Sequence, residues 1–141
     1  MKKDIDSDIE KVLTRYRTVA VVGASPDPER ASYRVAEFLQ NEGYRVIPVT
    51  PKGGEILGEA VYPDLSSIPE PVEVVDVFRR SEDVLPTTEE AIAIGAKALW
   101  MQEGVINEEA AEKAGKAGLT IVMDRCMMKE ILRRKEQENE K

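Results

Sequence analysis

Thr18 to Val22 (TVAVV) is a short, almost wholly apolar, β-branched run that gives way to Gly23-Ala24-Ser25-Pro26-Asp27-Pro28-Glu29-Arg30-Ala31-Ser32. A run of this kind reads as a strand buried on both faces, which is the usual state of strands in parallel sheets lying between helical layers. Its continuation agrees: Ser32 stands where it can cap a helix, Val35, Ala36 and Leu39 share one side of that helix, and Asn41 with Gly43 supplies a stop. The turn between is long and feeds a helix amino terminus, where backbone N–H groups and the helix dipole suit an anion.

Outward from this unit the alternation repeats. Upstream, Ile5, Ile9, Val12, Leu13 and Tyr16 recur at helical spacing behind early acidic residues, predicting an amphipathic helix within 1–17. Downstream, 44–49 (YRVIPV) predicts a strand with Pro48 at an edge or end, since proline lacks the amide donor a central strand needs. A glycine-rich loop follows. Then come a strand over 72–78, a helix over 82–94 with Ser81 as its cap and Pro86 in its first turn, and a strand over 97–101. Asn107 caps an alanine-rich helix that Gly118 ends, 119–123 (LTIVM) forms a last strand, and a closing helix runs into a charged tail expected to fray past about residue 133.

Strands alternating with helices imply parallel neighbours joined by right-handed crossovers. The expected fold is α/β, a Rossmann-like three-layer domain with a five-stranded parallel sheet flanked by helices. At 141 residues the chain is expected to form one domain. Its N-terminal helix would occupy 1–17, its core 18–130, and a charged C-terminal helix end 131–141.

Composition narrows the chemistry. There is no histidine, which excludes a Ser/His/Asp triad, a Cys/His pair, an HExxH zinc site and a phosphohistidine. The single cysteine, Cys126, cannot form an internal disulfide, and Met1 to Asp6 lack the apolar run of a signal peptide, so a cytoplasmic location is expected. No apolar run approaches the ~18–20 residues of a membrane span. With 20 Lys and Arg against 27 Asp and Glu, the net charge of -7 disfavours nucleic acid and anionic membranes as partners. An anionic ligand must find a local cationic patch.

The strand ends supply one. In Rossmann-like sheets ligands bind beyond the carboxyl ends of the strands, where strand order reverses. The first strand ends in the turn carrying Arg30, but without the second and third glycines of GxGxxG. The second ends at Thr50-Pro51-Lys52, where an NAD site would place an acid; Lys52 suits a nucleotide with an extra ribose phosphate, as NADP and coenzyme A both have. The third ends in Phe78-Arg79-Arg80, the fourth in Met101-Gln102-Glu103-Gly104, and the fifth in Asp124-Arg125-Cys126. Four of the five ends carry a cation, in a chain that is acidic as a whole.

VVGASPDPERASYRVAEFL, GYRVIPVTPKGGEILGEAVYP, VDVFRRSEDV, ALWMQEGV and GLTIVMDRCMMKE, in that order, resemble the small stand-alone CoA-binding protein family. The fold of that family is similar to the CoA-binding domain of the succinyl-CoA synthetase α subunit. The resemblance implies coenzyme A or an acyl-CoA across the strand ends, with Gly23, Ala24, Ser25, Arg30, Ser32 and Tyr33 at the phosphate turn. It implies Lys52 as a CoA contact, Thr50, Pro51, Phe78 and Arg79 beside the nucleotide, and Met101, Gln102 and Glu103 near the pantetheine. The synthetase's second domain and its phosphorylated histidine have no counterpart here, so no independent ligase activity is implied; a homo-oligomer or a partner enzyme subunit is compatible with the likeness. Three alternatives stay open at this point: an NADP-binding oxidoreductase or redox sensor, a CoA-linked thiol role for Cys126 through a mixed disulfide, and a folded interaction domain that binds no nucleotide.

Overall fold

The structure, a computed structural model, describes residues 4–140. Helix α1 (Ile5–Arg15) is capped by the Asp4 side chain, which accepts from the Asp6 N–H, and it buries Ile9, Val12 and Leu13. Residues 1–3 of the helical region expected over 1–17 lie outside the described residues, as does residue 141 of the C-terminal segment. β1 (Thr18–Val22), α2 (Ala31–Asn41) and β2 (Arg45–Val49) complete the first βαβ unit. A small antiparallel hairpin, β3 (Glu55–Ile56) and β4 (Glu59–Ala60), follows. Then come β5 (Val74–Val77), α3 (Val84–Ala93), β6 (Ala98–Met101), α4 (Glu108–Lys116), β7 (Thr120–Val122) and α5 (Met127–Asn139).

The main sheet has the order β2-β1-β5-β6-β7, and each pairing is parallel. Helices α1, α2 and α5 cover one face, over a core built on Val19, Val21, Val74 and Trp100; α3 and α4 cover the other, over Ala20, Val75, Leu99 and Met101. This is the three-layer α/β arrangement expected from the alternating sequence. Because the chain moves from β1 to β2 on one side and to β5 on the other, strand order reverses at β1, and the loops after β1 and β5 part there to leave a crevice.

β2 is an edge strand, and Pro48 sits on it without costing a central ladder bond. Its outer edge is partly closed by Tyr62, whose N–H donates to the Pro48 carbonyl and whose carbonyl accepts from the Thr50 N–H. At the amino ends of the strands Arg45 reaches both Glu59 and Glu70, and the Glu73 carboxylate accepts from the Arg17 and Thr18 backbone N–H groups.

Several local readings need correction. Ser32 does not cap α2: the cap position is Arg30, without a side-chain bond, and Ser32 is buried in the first turn. Ser81 caps no helix either. Residues Ser81–Asp83 form a 3-10 turn ahead of α3, and the Ser81 hydroxyl donates to the Gly104 carbonyl and accepts from the Ile106 N–H. The C-terminal segment stays helical to Asn139, steadied by Arg134 against Glu10 and Lys135 against Glu42, where fraying past about residue 133 was expected.

Candidate functional site

Gly23 sets the geometry of the crevice. Its φ of +88° carries the chain sharply away from β1, and a Cβ built on it would lie 2.1 Å from the Phe78 carbonyl oxygen, so only glycine lets the β1 and β5 ends close together. Its N–H and that of Ala24 both donate to the Val49 carbonyl, at 3.0 and 3.2 Å, while the Phe78 N–H donates to Val22 at 2.8 Å. These bonds tie the carboxyl ends of β2, β1 and β5 together. They also mean that Gly23 and Ala24 have no amide left for an anion. The N–H groups without a protein partner lie further along, at Ser25 and at Ala31 and Ser32 in the first turn of α2.

Above these strand ends lies a cleft of about 620 Å³, within the ~300–1,000 Å³ typical of small-molecule sites. Of the residues singled out from the sequence, Gly23, Ala24, Ser25, Arg30, Ser32, Thr50, Lys52, Phe78, Arg79, Gln102 and Glu103 line it together. Three do not. Met101 points to the opposite face of the sheet and is fully buried in the α3–α4 core, because side chains alternate along a strand and Gln102 takes the cleft side. Tyr33 packs half-buried against the core under α2, and Pro51 is exposed in the turn after β2.

What marks the cleft is that its cations converge, since Lys11, Arg15, Arg17 and Lys97, away from it, also meet no carboxylate among the described residues. Arg45, Arg80, Lys113, Lys129 and Arg133 each lie against a carboxylate. Arg30, Lys52 and Arg79, which converge on the cleft, meet none among the described residues. Arg80 also lines the cleft, but Glu82 and Asp83 hold its guanidinium. Arg125 does not join the group; its guanidinium donates to the Asp124 carbonyl.

A smaller pocket of about 250 Å³ adjoins the cleft through Ala31, Phe78, Gln102 and Glu103, and continues between α2 and α5 to Cys126 and Met128. The Glu103–Lys129 ion pair, at 2.8 Å, crosses its rim. Cys126 sits at the amino end of α5, and burial pushes its thiol up from the ordinary value; the Lys129 and Met128 backbone N–H groups oppose that shift only in part. The thiolate that disulfide exchange requires is therefore disfavoured. The Trp100 indole, fully buried, finds its partner in the Arg125 carbonyl at 2.8 Å.

The sequence reading passed over Asp76. It is fully buried in β5, its Oδ1 accepts from Gln102 Nε2 at 2.7 Å, and its Oδ2 has no partner. Burial raises its pKa from the usual carboxylate range to about 7, and the Gln102 hydrogen bond opposes the rise. One acid inside the apolar run VVDVF was the available signal.

A cleft at the strand-order reversal of a parallel sheet, with open amides at a helix start, is the crevice in which Rossmann-like α/β domains take their ligands. The particular family follows from comparison: residues 17–131 match the CoA binding domain family model, and the chain belongs to that family. It is similar to the uncharacterized protein YneT of Bacillus subtilis (strain 168), 38% identical over 127 residues, covering 90% of this chain and 94% of that one. A hypothetical protein from Pyrococcus horikoshii OT3 has a similar structure, with a TM-score of 0.88 at 45% identity, covering 94% of this chain and 98% of that one. The α subunit of acetate–CoA ligase (ADP-forming) II from Pyrococcus furiosus is 30% identical over 122 residues, covering 79% of this chain but 27% of that subunit. No helix among the described residues is long and apolar enough to cross a membrane.

Proposed function

We propose that this protein binds coenzyme A or an acyl-CoA in the cleft at the carboxyl ends of the strands, as a single cytoplasmic domain without ligase activity of its own. The observation that carries this reading is the convergence of Arg30, Lys52 and Arg79, none of them paired with a carboxylate among the described residues, on one cleft of an acidic chain. Coenzyme A offers what such a group can hold: a diphosphate for Arg30 and the open amides of Ser25, Ala31 and Ser32, and a ribose phosphate for Lys52 or Arg79. Phe78, half-buried on the cleft wall, offers a face to the adenine. The pantetheine then runs toward Gln102 and Glu103, where the smaller pocket opens.

Membership of the CoA binding domain family supports coenzyme A over NADP. The likeness to a ligase subunit that is much longer than this chain supports a role beside a separate catalytic partner. Titration calorimetry with coenzyme A, acetyl-CoA, NADP and NAD tests the reading. Coenzyme A or its acetyl thioester is expected to bind more tightly than either dinucleotide; tighter binding of NADP, or no binding of either CoA species, overturns it.

A further inference from the structure

Asp76 is the one fully buried carboxylate among the described residues, and nothing in phosphate or adenine recognition uses it. In the sheet it lies between Val21 of β1 and Trp100 of β6. Its single hydrogen bond goes to Gln102, and Gln102 lines both the cleft and the smaller pocket. A glutamine amide has two poles. An ionised Asp76 only accepts, so it fixes the nitrogen end of the amide against itself through one N–H and leaves the carbonyl oxygen, an acceptor, with the second N–H, for other partners. A protonated Asp76 can donate as well as accept, so the amide is then free to turn and offer its N–H instead.

We propose that Asp76 is a positioning residue which, through Gln102, sets the hydrogen-bond polarity met by the thiol end of the ligand where the two cavities join. Ionised, it favours a donor, the free thiol of coenzyme A. Protonated, it favours an acyl thioester, whose carbonyl only accepts. The inference rests on the coenzyme A reading above and deepens it by making the choice between free and acylated carrier depend on one buried proton.

The surroundings fit a two-state carboxyl. Burial brings its ionisation to about pH 7, and the unpartnered Oδ2 leaves a site for the proton. The strands and α1 present apolar groups on this face, Val21, Trp100, Val122 and Ile9 among them. The ionisable groups that line the smaller pocket together with Gln102 are the Cys126 thiol and Lys129 of α5, Glu103 after β6 and Arg34 of α2. Lys129 and Glu103 neutralise each other, Arg34 donates to the Glu29 carbonyl, and burial keeps Cys126 a thiol, so Asp76 is the group among them placed to change charge near neutral pH.

The test compares acetyl-CoA with coenzyme A by calorimetry on the intact protein from about pH 5.5 to about pH 7.5 at fixed ionic strength. The phosphates of both ligands titrate in this range but cancel in the ratio of the two affinities. That ratio is expected to fall roughly three- to tenfold in favour of free coenzyme A as pH rises, the worth of about one hydrogen bond. In Asp76→Asn it becomes flat. Gln102→Met, which removes both amide poles, flattens it too and serves if the first variant does not fold. Trp100, the only tryptophan, neighbours Asp76 in the β5–β6 ladder, so its fluorescence in the wild-type protein is expected to titrate with the same midpoint as the ratio. A pH-independent ratio with both ligands bound overturns this inference alone, as does a pH-dependent ratio that survives in the variants. Failure of the wild-type protein to bind either ligand overturns the coenzyme A reading and this inference with it.

Discussion

The two ends of the main sheet arrange charge differently, although Arg17 and Lys97 at the amino ends, like the cations of the cleft, meet no carboxylate among the described residues. At the amino ends Arg45 is held by Glu59 and Glu70, and Glu73 satisfies the backbone N–H groups of Arg17 and Thr18. At the carboxyl ends Arg30, Lys52 and Arg79 are left without a carboxylate, and a buried acid lies behind them with one oxygen unbonded. The carboxyl ends gather three unpaired cations on one cleft, and these are the groups the proposed ligand would engage. The glycines show the same division. Gly23 and Gly43 both have strongly positive φ, yet a Cβ at Gly43, at the amino end of β2, would meet nothing within 4 Å.

Substitutions at the two ends should therefore have different effects. Gly23→Ala forces a Cβ into the Phe78 carbonyl and is expected to cost about 3–5 kcal/mol in urea unfolding, with loss of binding, against about 1 kcal/mol for Gly43→Ala. Equal costs would break the comparison. Next in size is a pH effect. Because folding raises the pKa of Asp76 above its unfolded value, the folded chain holds the extra proton between about pH 4 and pH 7. The stability Asp76 contributes is thus complete below that window and is lost as pH rises through it, by roughly 2–4 kcal/mol. Asp76→Asn should remove this part of the slope, which denaturant midpoints across the window will show.

Lys52→Ala and Arg30→Ala should each weaken coenzyme A binding by roughly 1–3 kcal/mol in calorimetry while leaving the melting temperature nearly unchanged. Arg45→Ala, at the other end, should do the reverse. Binding stays as it was and stability falls by less than about 1 kcal/mol, since the pairs are partly exposed to solvent. A cleft variant that melts early without binding less would show that the rim cations serve the fold after all.

Much of this fold was legible because buried parallel strands are locally conspicuous: TVAVV, ALWM and LTIVM each stand out from their charged surroundings. The cations at the strand ends were legible for the same reason, since where an apolar run stops the next polar residue faces the crevice. The hairpin was not. Its strands are too short for periodicity to register, and its turn places Leu57 and Gly58 at positive φ without the Asn-Gly or Asp-Gly pair that marks such turns. Ser32 and Ser81 were misread because a serine ahead of a helix looks like a cap whether or not its hydroxyl is committed elsewhere, as that of Ser81 is to the loop after β6. Met101 failed on parity: three consecutive residues at a strand end cannot all face one cleft. The tie between Asp76 and Gln102 depends on which strands are neighbours, and spacing along the chain does not encode that.

The Val49 carbonyl, which accepts from both Gly23 and Ala24, is a small feature with a long reach. It fastens the floor of the groove to the edge strand by bonds that form as the sheet forms, so the shape of that floor is inherited from folding and is in place before any guest arrives. Ordering a mobile backbone is one of the larger entropic penalties in recognition, and a floor built this way avoids it. What is left to adjust on arrival is a few long side chains at the rim, so encounter should be quick and the tightness of the complex should be decided mainly by how slowly those side chains let go.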